Sequence, residues 1–384
     1  MCDCSEAAQP DSPGAAAATT HVYAGILNGS AIEAAGSQEG DPDEFERVDG
    51  YETGYESGSG ESLGSTSATS SIYAHTFEHG RRYHHFKNGR YPLPDDDEEQ
   101  KREDMKHAMM LELTDGKLFH APVGDNPQQI LDIGTGTGIW AIDVGDRYPG
   151  AHVRGIDQTP IQPIWVPPNV DFLVDDCNND WLARNIDLAH FRFMTIVLQD
   201  VPNVLGNCFE SLKPGGWVEL QELQGEILCD DETMLDDDPL KYVYELGAKA
   251  FKLFGMDVLI PQQLEAILRA AGFVNIQCIP KKVPIGVWAQ DKTLRLVGLY
   301  QKTAISEFLS AMAGRPFEAL GIDATARQAI VALARRSLED TTIHRYMPYY
   351  FWYAQKPENF SNSTRGSAPG NTGASLAVSP LADA

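Results

Sequence analysis

The sequence predicts an α/β fold: a parallel sheet covered by helices on both faces and closed by a helical cap. Three observations predict it. Short apolar runs alternate with helical patterns from residue 128 onward, a glycine-rich turn follows the first run, and a Lys213-Pro214-Gly215-Gly216 stop divides a helix from the next run. Alternating strands and helices favour parallel pairing with right-handed crossovers.

The elements follow in order. "DEEQKREDMKHAMMLELTDGK", from Asp97, has helical periodicity and is expected to pack across the mouth of the sheet. "QQILDIG" (128–134) reads as a buried strand, "IWAIDVGDRY" as a helix and "AHVRGID" as the second strand. "VDFLVDD" supplies the third strand and "DLAHFRFM" the fourth. The helix "VPNVLGNCFESL" stops at Lys213, and "GGWVELQEL" is the fifth strand. "PQQLEAILRAAGFVNIQCIP" reads as a helix, a glycine stop at Gly272 and a sixth strand. Two further helical patterns at about 290–340 are an insertion expected to cover the crevice, and the aromatic "IHRYMPYYFWYAQKP" is a closing strand. The expected organisation is a structureless acidic tail over 1–71, a helical lid segment over 72–127, the main domain over 128–357 and a second structureless tail over 358–384.

Charge narrows the function. The net charge is −25, and up to Ser70 the chain carries thirteen Asp or Glu against Arg47 alone. Such a tail buries too little apolar surface to offset its ordering entropy. An acidic surface repels phosphate backbones, so direct nucleic-acid binding is not expected. The six cysteines show neither metal spacing nor a disulfide framework, which leads us to expect no metal and reduced thiols. "MCDCSEAAQP" lacks the regions of a secretory signal, and no apolar run approaches membrane-spanning length. The expected location is the cytoplasm, with the nucleus as the alternative, although no Lys and Arg cluster supplies a simple basic import signal.

The turn "GTGTG" (134–138) carries the chemistry. A dinucleotide loop needs G-x-G-x-x-G, and Ile139 stands where the third glycine belongs. Asp132, just before the loop, disfavours a pyrophosphate and attracts an ammonium group. Glycines allow close backbone approach, and the amides opening the helix at Ile139 suit a carboxylate. Asp157, ending the second strand, sits where an acid accepts hydrogen bonds from ribose hydroxyls. An amino acid joined to a nucleoside without phosphate fits all of these: S-adenosylmethionine. The cofactor-binding set is therefore Asp132, Gly134, Thr135, Gly136, Gly138 and Asp157. Asp176 and the Cys177 backbone, at the end of the third strand, are the candidates for the adenine, and Asp175, Asp176 and Asp180 read equally well as a solvated acidic turn. In a parallel sheet these residues gather beyond the strands' carboxyl ends, with Gln221 and Glu222 expected at the same crevice.

These stretches, with "PIQPIWVPPNV", "LKPGGWVELQE" and "YPLPDDDEEQKREDMKHAM", resemble the LaeA-like class I methyltransferases of fungal secondary metabolism over about Tyr73 to Pro357. The resemblance implies a Rossmann-like seven-stranded sheet whose last strand is antiparallel, with S-adenosylmethionine as cofactor. It departs at "LQDVPNV" after "FRFMTIV", where the family often continues to a Trp beside the acceptor. Members include a nuclear regulator and pathway enzymes. Two functions are thus implied: methylation of an oxygen, nitrogen or carbon of a small-molecule acceptor, or regulation through protein partners.

Because a sulfonium methyl is already electrophilic, the protein mainly has to align the acceptor and exclude water. A base is needed only for a hydroxyl or a protonated amine, and His84, His85 and His107 are candidates, with Glu222 as an orienting group. His190 lies before its strand's carboxyl end and reads as a buried structural histidine.

Overall fold

The computed structural model describes residues 31–35, 75–84, 92–179 and 181–359. The hairpin β1 (His75–Glu78) and β2 (Arg81–His84) comes first, followed by α1 (Asp97–Leu113), β3 (Gln129–Ile133), α2 (Ile139–Arg147), β4 (His152–Asp157) and β5 (Val170–Val174). Next come β6 (Ile186–Arg192), α3 (Val201–Ser211), β7 (Leu212–Leu223), α4 (Pro239–Leu253), α5 (Leu264–Ala271) and β8 (Val274–Pro284). The chain closes with α6 (Lys292–Met312), α7 (Arg315–Ala319), α8 (Ala324–Leu338) and β9 (Tyr346–Gln355).

The seven strands β3 to β9 form one sheet in the order β5-β4-β3-β6-β7-β9-β8. β9 is antiparallel to both its neighbours, while the pairs among β3 to β7 are parallel. The order reverses between β3 and β6, so the crevice expected of an open α/β sheet falls at their carboxyl ends.

Burial explains the strands. Ile130, Leu131 and Ile133 of β3 are all buried, as a strand covered on both faces requires. On one face Leu131 and Phe191 pack with Val204 and Leu205 of α3 and Leu264 and Leu268 of α5. On the other, Ile130, Val153 and Leu188 pack on Trp140, Ala141 and Val144 of α2. A third apolar cluster joins α1, α4, α6, α7 and α8 to β8 and β9 through residues such as Met109, Leu240, Leu309, Phe317, Val331 and Phe351. Aspartates cap the helix starts: Asp96 opens α1, Asp200 α3, Asp238 α4, Asp291 α6 and Asp323 α8. Each accepts from backbone amides that the first turn leaves unpaired.

Four readings are corrected. The Lys213–Gly216 stop ends α3 but not regular structure, because β7 already begins at Leu212. A register shift between Ile186 and Leu188 absorbs the extra residues, with Gly215 at φ +78. The 72–127 segment is not helical throughout: β1 and β2 turn at His79 and Gly80, both at positive φ, as a tight hairpin allows. α4 follows a capping Asp238 and a Pro at its first turn, a start signal the pattern reading passed over. Finally, the acidic tail is not structureless at 31–35. Ala34 bridges Ala289, Ala35 N donates to Trp288 O, and Ile32 packs against the cluster of Trp288 and Tyr346. The rest of both tails, apart from Glu358 and Asn359, lies outside the described residues. Among the described residues no helix is long and apolar enough to cross a membrane.

Candidate active site

The glycine turn leaves β3 and is tied to the end of β4. Gly134 N and Thr135 N donate to Ile156 O, and Gly136 N donates to Asp157 Oδ2 at 2.9 Å. Gly134 and Gly136 have φ of +71 and +57, a region that L side chains avoid. A Cβ on Gly134 would stand 2.0 Å from Met194 Sδ, whereas one on Gly136 would meet nothing within 4 Å. The loop is therefore bare where it faces open space. That space is a cavity of about 270 Å³.

Seven of the eight residues assigned to the cofactor line this cavity: Asp132, Gly134, Thr135, Gly136, Asp157, Asp176 and Cys177. Gly138 does not. It caps α2 at φ +82, where a Cβ would press into the Phe172 ring at 2.4 Å. Its role is to let the loop enter the helix.

Electrostatics set the floor of the cavity. Asp132 Oδ1 accepts from His190 Nδ1 at 2.8 Å and its Oδ2 from Thr135 Oγ1 at 2.7 Å. His190 is fully buried, stacked on Trp140 at 3.6 Å, and burial lowers its pKa. It is a structural prop, as its place in the strand implied. Asp157 Oδ1 accepts from Thr159 N, and burial raises its pKa to about 6. Asp176 Oδ1 accepts from Asn178 N and Nδ2. α1 supplies Glu99, Gln100 and Glu103, so the segment before the sheet does cross the mouth.

The catalytic candidates fare differently. His84 ends β2, but its side chain, like all of His85, lies outside the described residues. His107 is buried on α1 and lines neither cavity, since both ring nitrogens are engaged: Nε2 with Asp143 Oδ2 and Nδ1 with Arg192 Nη1, each at 2.8 Å. Burial pulls its pKa down. Gln221 and Glu222 do not reach the crevice either, because β7 is a central strand and both side chains are packed inside. Gln221 Nε2 donates to Leu118 O and to Glu219 Oε1. Glu222 Oε1 accepts from Met194 N and Thr195 N at 3.1 Å, and burial raises its pKa to about 7. It holds the loop after β6 from behind.

A second cavity, of about 110 Å³, adjoins the first and shares Glu103, Phe193, Val197 and Met256 with it. Its walls are mostly apolar: Tyr244 and Phe251 from α4, Ile305 and Phe308 from α6, and Met347 and Tyr349 from β9. Arg102, Glu103, Lys106 and Gln301 are the exceptions. Lys106 Nζ lies 3.4 Å from the centre of the Phe193 ring, and burial lowers its pKa to about 8. Sequence reading expected a mostly apolar pocket shaped by the inserted helices, but not the share of its wall that α4 supplies. The inserted α6 does form part of its wall.

A sheet of this order with one reversed strand, and a glycine loop reaching an acid at the next strand's end, define a class I, S-adenosylmethionine-dependent methyltransferase. A family model described as "Methyltransferase domain" matches residues 103–278. The chain is 35% identical over 295 residues to methyltransferase pytC of Aspergillus terreus, covering 76% of this chain and 91% of that one. It is 34% identical over 291 residues to the secondary metabolism regulator LAE1 of Cochliobolus heterostrophus, covering 73% and 94%. It is also 34% identical over 288 residues to the regulator laeA of Aspergillus fumigatus, covering 73% and 76%. The chain belongs to the LaeA-like methyltransferase family.

Proposed function

We propose that this enzyme methylates a small, largely apolar acceptor held in the pocket of Phe193, Tyr244, Phe308 and Tyr349. The observation that carries the reading is the apolar pocket opening onto the glycine-loop crevice through a shared wall, since a donor and an acceptor must meet end to end. Asp157 would hold the donor's ribose hydroxyls, Asp176 and the Cys177 backbone its adenine, and the Asp132 end of the loop its amino-acid portion. Bound there, S-adenosylmethionine supplies an electrophilic methyl group.

The chain's own residues do the rest. Phe193 and Val197 exclude water where the cavities meet, and α1 and α6 close the acceptor from solvent. Lys106, whose ammonium is weakened by burial, is the basic group that would take the proton of a hydroxyl acceptor. The net charge of −25 supports a small molecule over nucleic acid as acceptor. We place the reaction in the cytoplasm, as the sequence leads us to expect.

The test is incubation of the purified protein and methyl-labelled donor with fungal extract. Label entering organic-soluble compounds is expected. Label confined to protein, or found nowhere, overturns the small-molecule reading and favours a regulator of the kind named among the relatives.

A further inference from the structure

Arg192 ends β6 one register step beyond the Ile133–Phe191 pair, level with Gly134 at the start of the glycine turn. It lines the larger cavity. Its Nη1 donates to His107 Nδ1 at 2.8 Å, and His107 Nε2 in turn donates to Asp143 Oδ2 at 2.8 Å. This relay fixes the histidine's tautomer and the direction of the guanidinium. Among the described residues, Nε and Nη2 of Arg192 have no hydrogen-bond partner, and no carboxylate stands within ion-pair distance of it. Neither nitrogen is sealed from solvent, so both can donate to a ligand in the cavity beside them.

We propose that Arg192 is the residue that binds the carboxylate of the donor's methionine portion, held in place by His107 and Asp143. This rests on the donor reading above. With the ribose at Asp157 and the adenine at Asp176, the amino-acid end lies towards Gly134 and the apolar pocket, which is where Arg192 stands. That end is a zwitterion, and the cavity offers both signs of charge there: Arg192 for the carboxylate, and Asp132 and Glu103 for the ammonium. Asp132, Glu103, Asp143 and Asp104 all surround the guanidinium, yet burial still lowers its pKa. An anionic ligand would relieve that burden. The sequence alone points to the helix amides at Ile139 for this carboxylate. A planar cation supplies a full charge and paired donors instead. His107 thereby becomes a positioning residue.

The test is titration calorimetry on the full chain with S-adenosylhomocysteine and its decarboxylated analogue. The unmodified protein is expected to hold the carboxylate-bearing ligand about tenfold to hundredfold more tightly, as a charge-assisted hydrogen bond implies. Arg192→Met is expected to bind both alike, at the weaker affinity, and Arg192→Lys to regain part of the preference. Equal affinity of the unmodified protein for the two ligands, or a preference retained in Arg192→Met, overturns the assignment while leaving the donor reading intact. Binding of neither ligand by the unmodified protein overturns the donor reading as well. Should Arg192→Met not fold, the unmodified protein's preference and its reduction in Arg192→Lys decide the matter.

Discussion

The two cavities meet at Phe193 and Val197 yet are built by different means. The larger one has a floor of backbone and acids at the ends of β3, β4 and β5, elements close in sequence and locked in register by the sheet, with α1 and the end of β6 as its remaining walls. The smaller one is lined by side chains from α1, α4, α6 and β9, gathered from residues about 250 positions apart. The floor of one cavity is a property of a local strand-turn-helix pattern, and the other cavity is a property of how inserted helices pack. The difference predicts that donor binding and acceptor binding can be broken separately.

The largest effect is expected at Gly136. Valine there is β-branched at φ +57 and projects into open cavity, so Gly136→Val should abolish measurable donor binding in calorimetry. The far-ultraviolet spectrum should be unchanged, because a Cβ there meets nothing within 4 Å. Its counterpart is Ala304→Trp, which fills the apolar pocket. That variant should lose methyl transfer while holding S-adenosylhomocysteine within about twofold, since Ala304 touches only the second cavity. Loss of S-adenosylhomocysteine binding together with methyl transfer in Ala304→Trp would show that the cavities are one site.

A smaller effect probes their shared wall. Glu222 fixes the loop at Met194 and Thr195 and holds its proton to about pH 7 when folded, against an ordinary value of 4.5. Between those values the unfolded chain has lost that proton and the folded chain has not. Stability from this group is therefore full below pH 4.5, falls as pH rises to 7 and levels off above it. Glu222→Gln keeps an oxygen for the two amides and removes the ionisation. It should match the parent in denaturant melts near pH 4 and exceed it by up to about 3 kcal/mol at pH 8. A variant less stable than the parent at pH 8 would show that the ionised carboxylate is favoured there.

The smallest effect is expected far from both cavities. Deleting residues 1–30 should leave the melting temperature unchanged. Extending the deletion through 35 should cost about 1 kcal/mol, for the lost Ile32 contact and the hydrogen bonds of Ala35 N to Trp288 O and of Gln290 N to Glu33 O. Equal melting of the two truncations would mean that the segment contributes nothing measurable.

Much of this was legible because it is local. Asp132, Gly134, Gly136 and Asp157 line one cavity, as their spacing led us to expect, since a glycine turn between a buried strand and a helix opens on the ends of the strands beside it. Gly138 was misassigned because loop glycines look alike in sequence, and only the Phe172 ring against it reveals a packing role. Of the candidate histidines within the described residues, His107 does not reach the cavities. Residue type suggests a base, but His107 has both nitrogens committed to Asp143 and Arg192.

The sequence by itself determined the strand-helix alternation, the glycine loop and its flanking acids, because periodicity and backbone conformation are set by neighbours a few residues away. Only the tertiary structure decided where Arg192 and Lys106 stand, that Glu222 works from behind the site, and which side chains wall the apolar pocket. Those depend on desolvation and packing between segments that nothing in the linear pattern brings together.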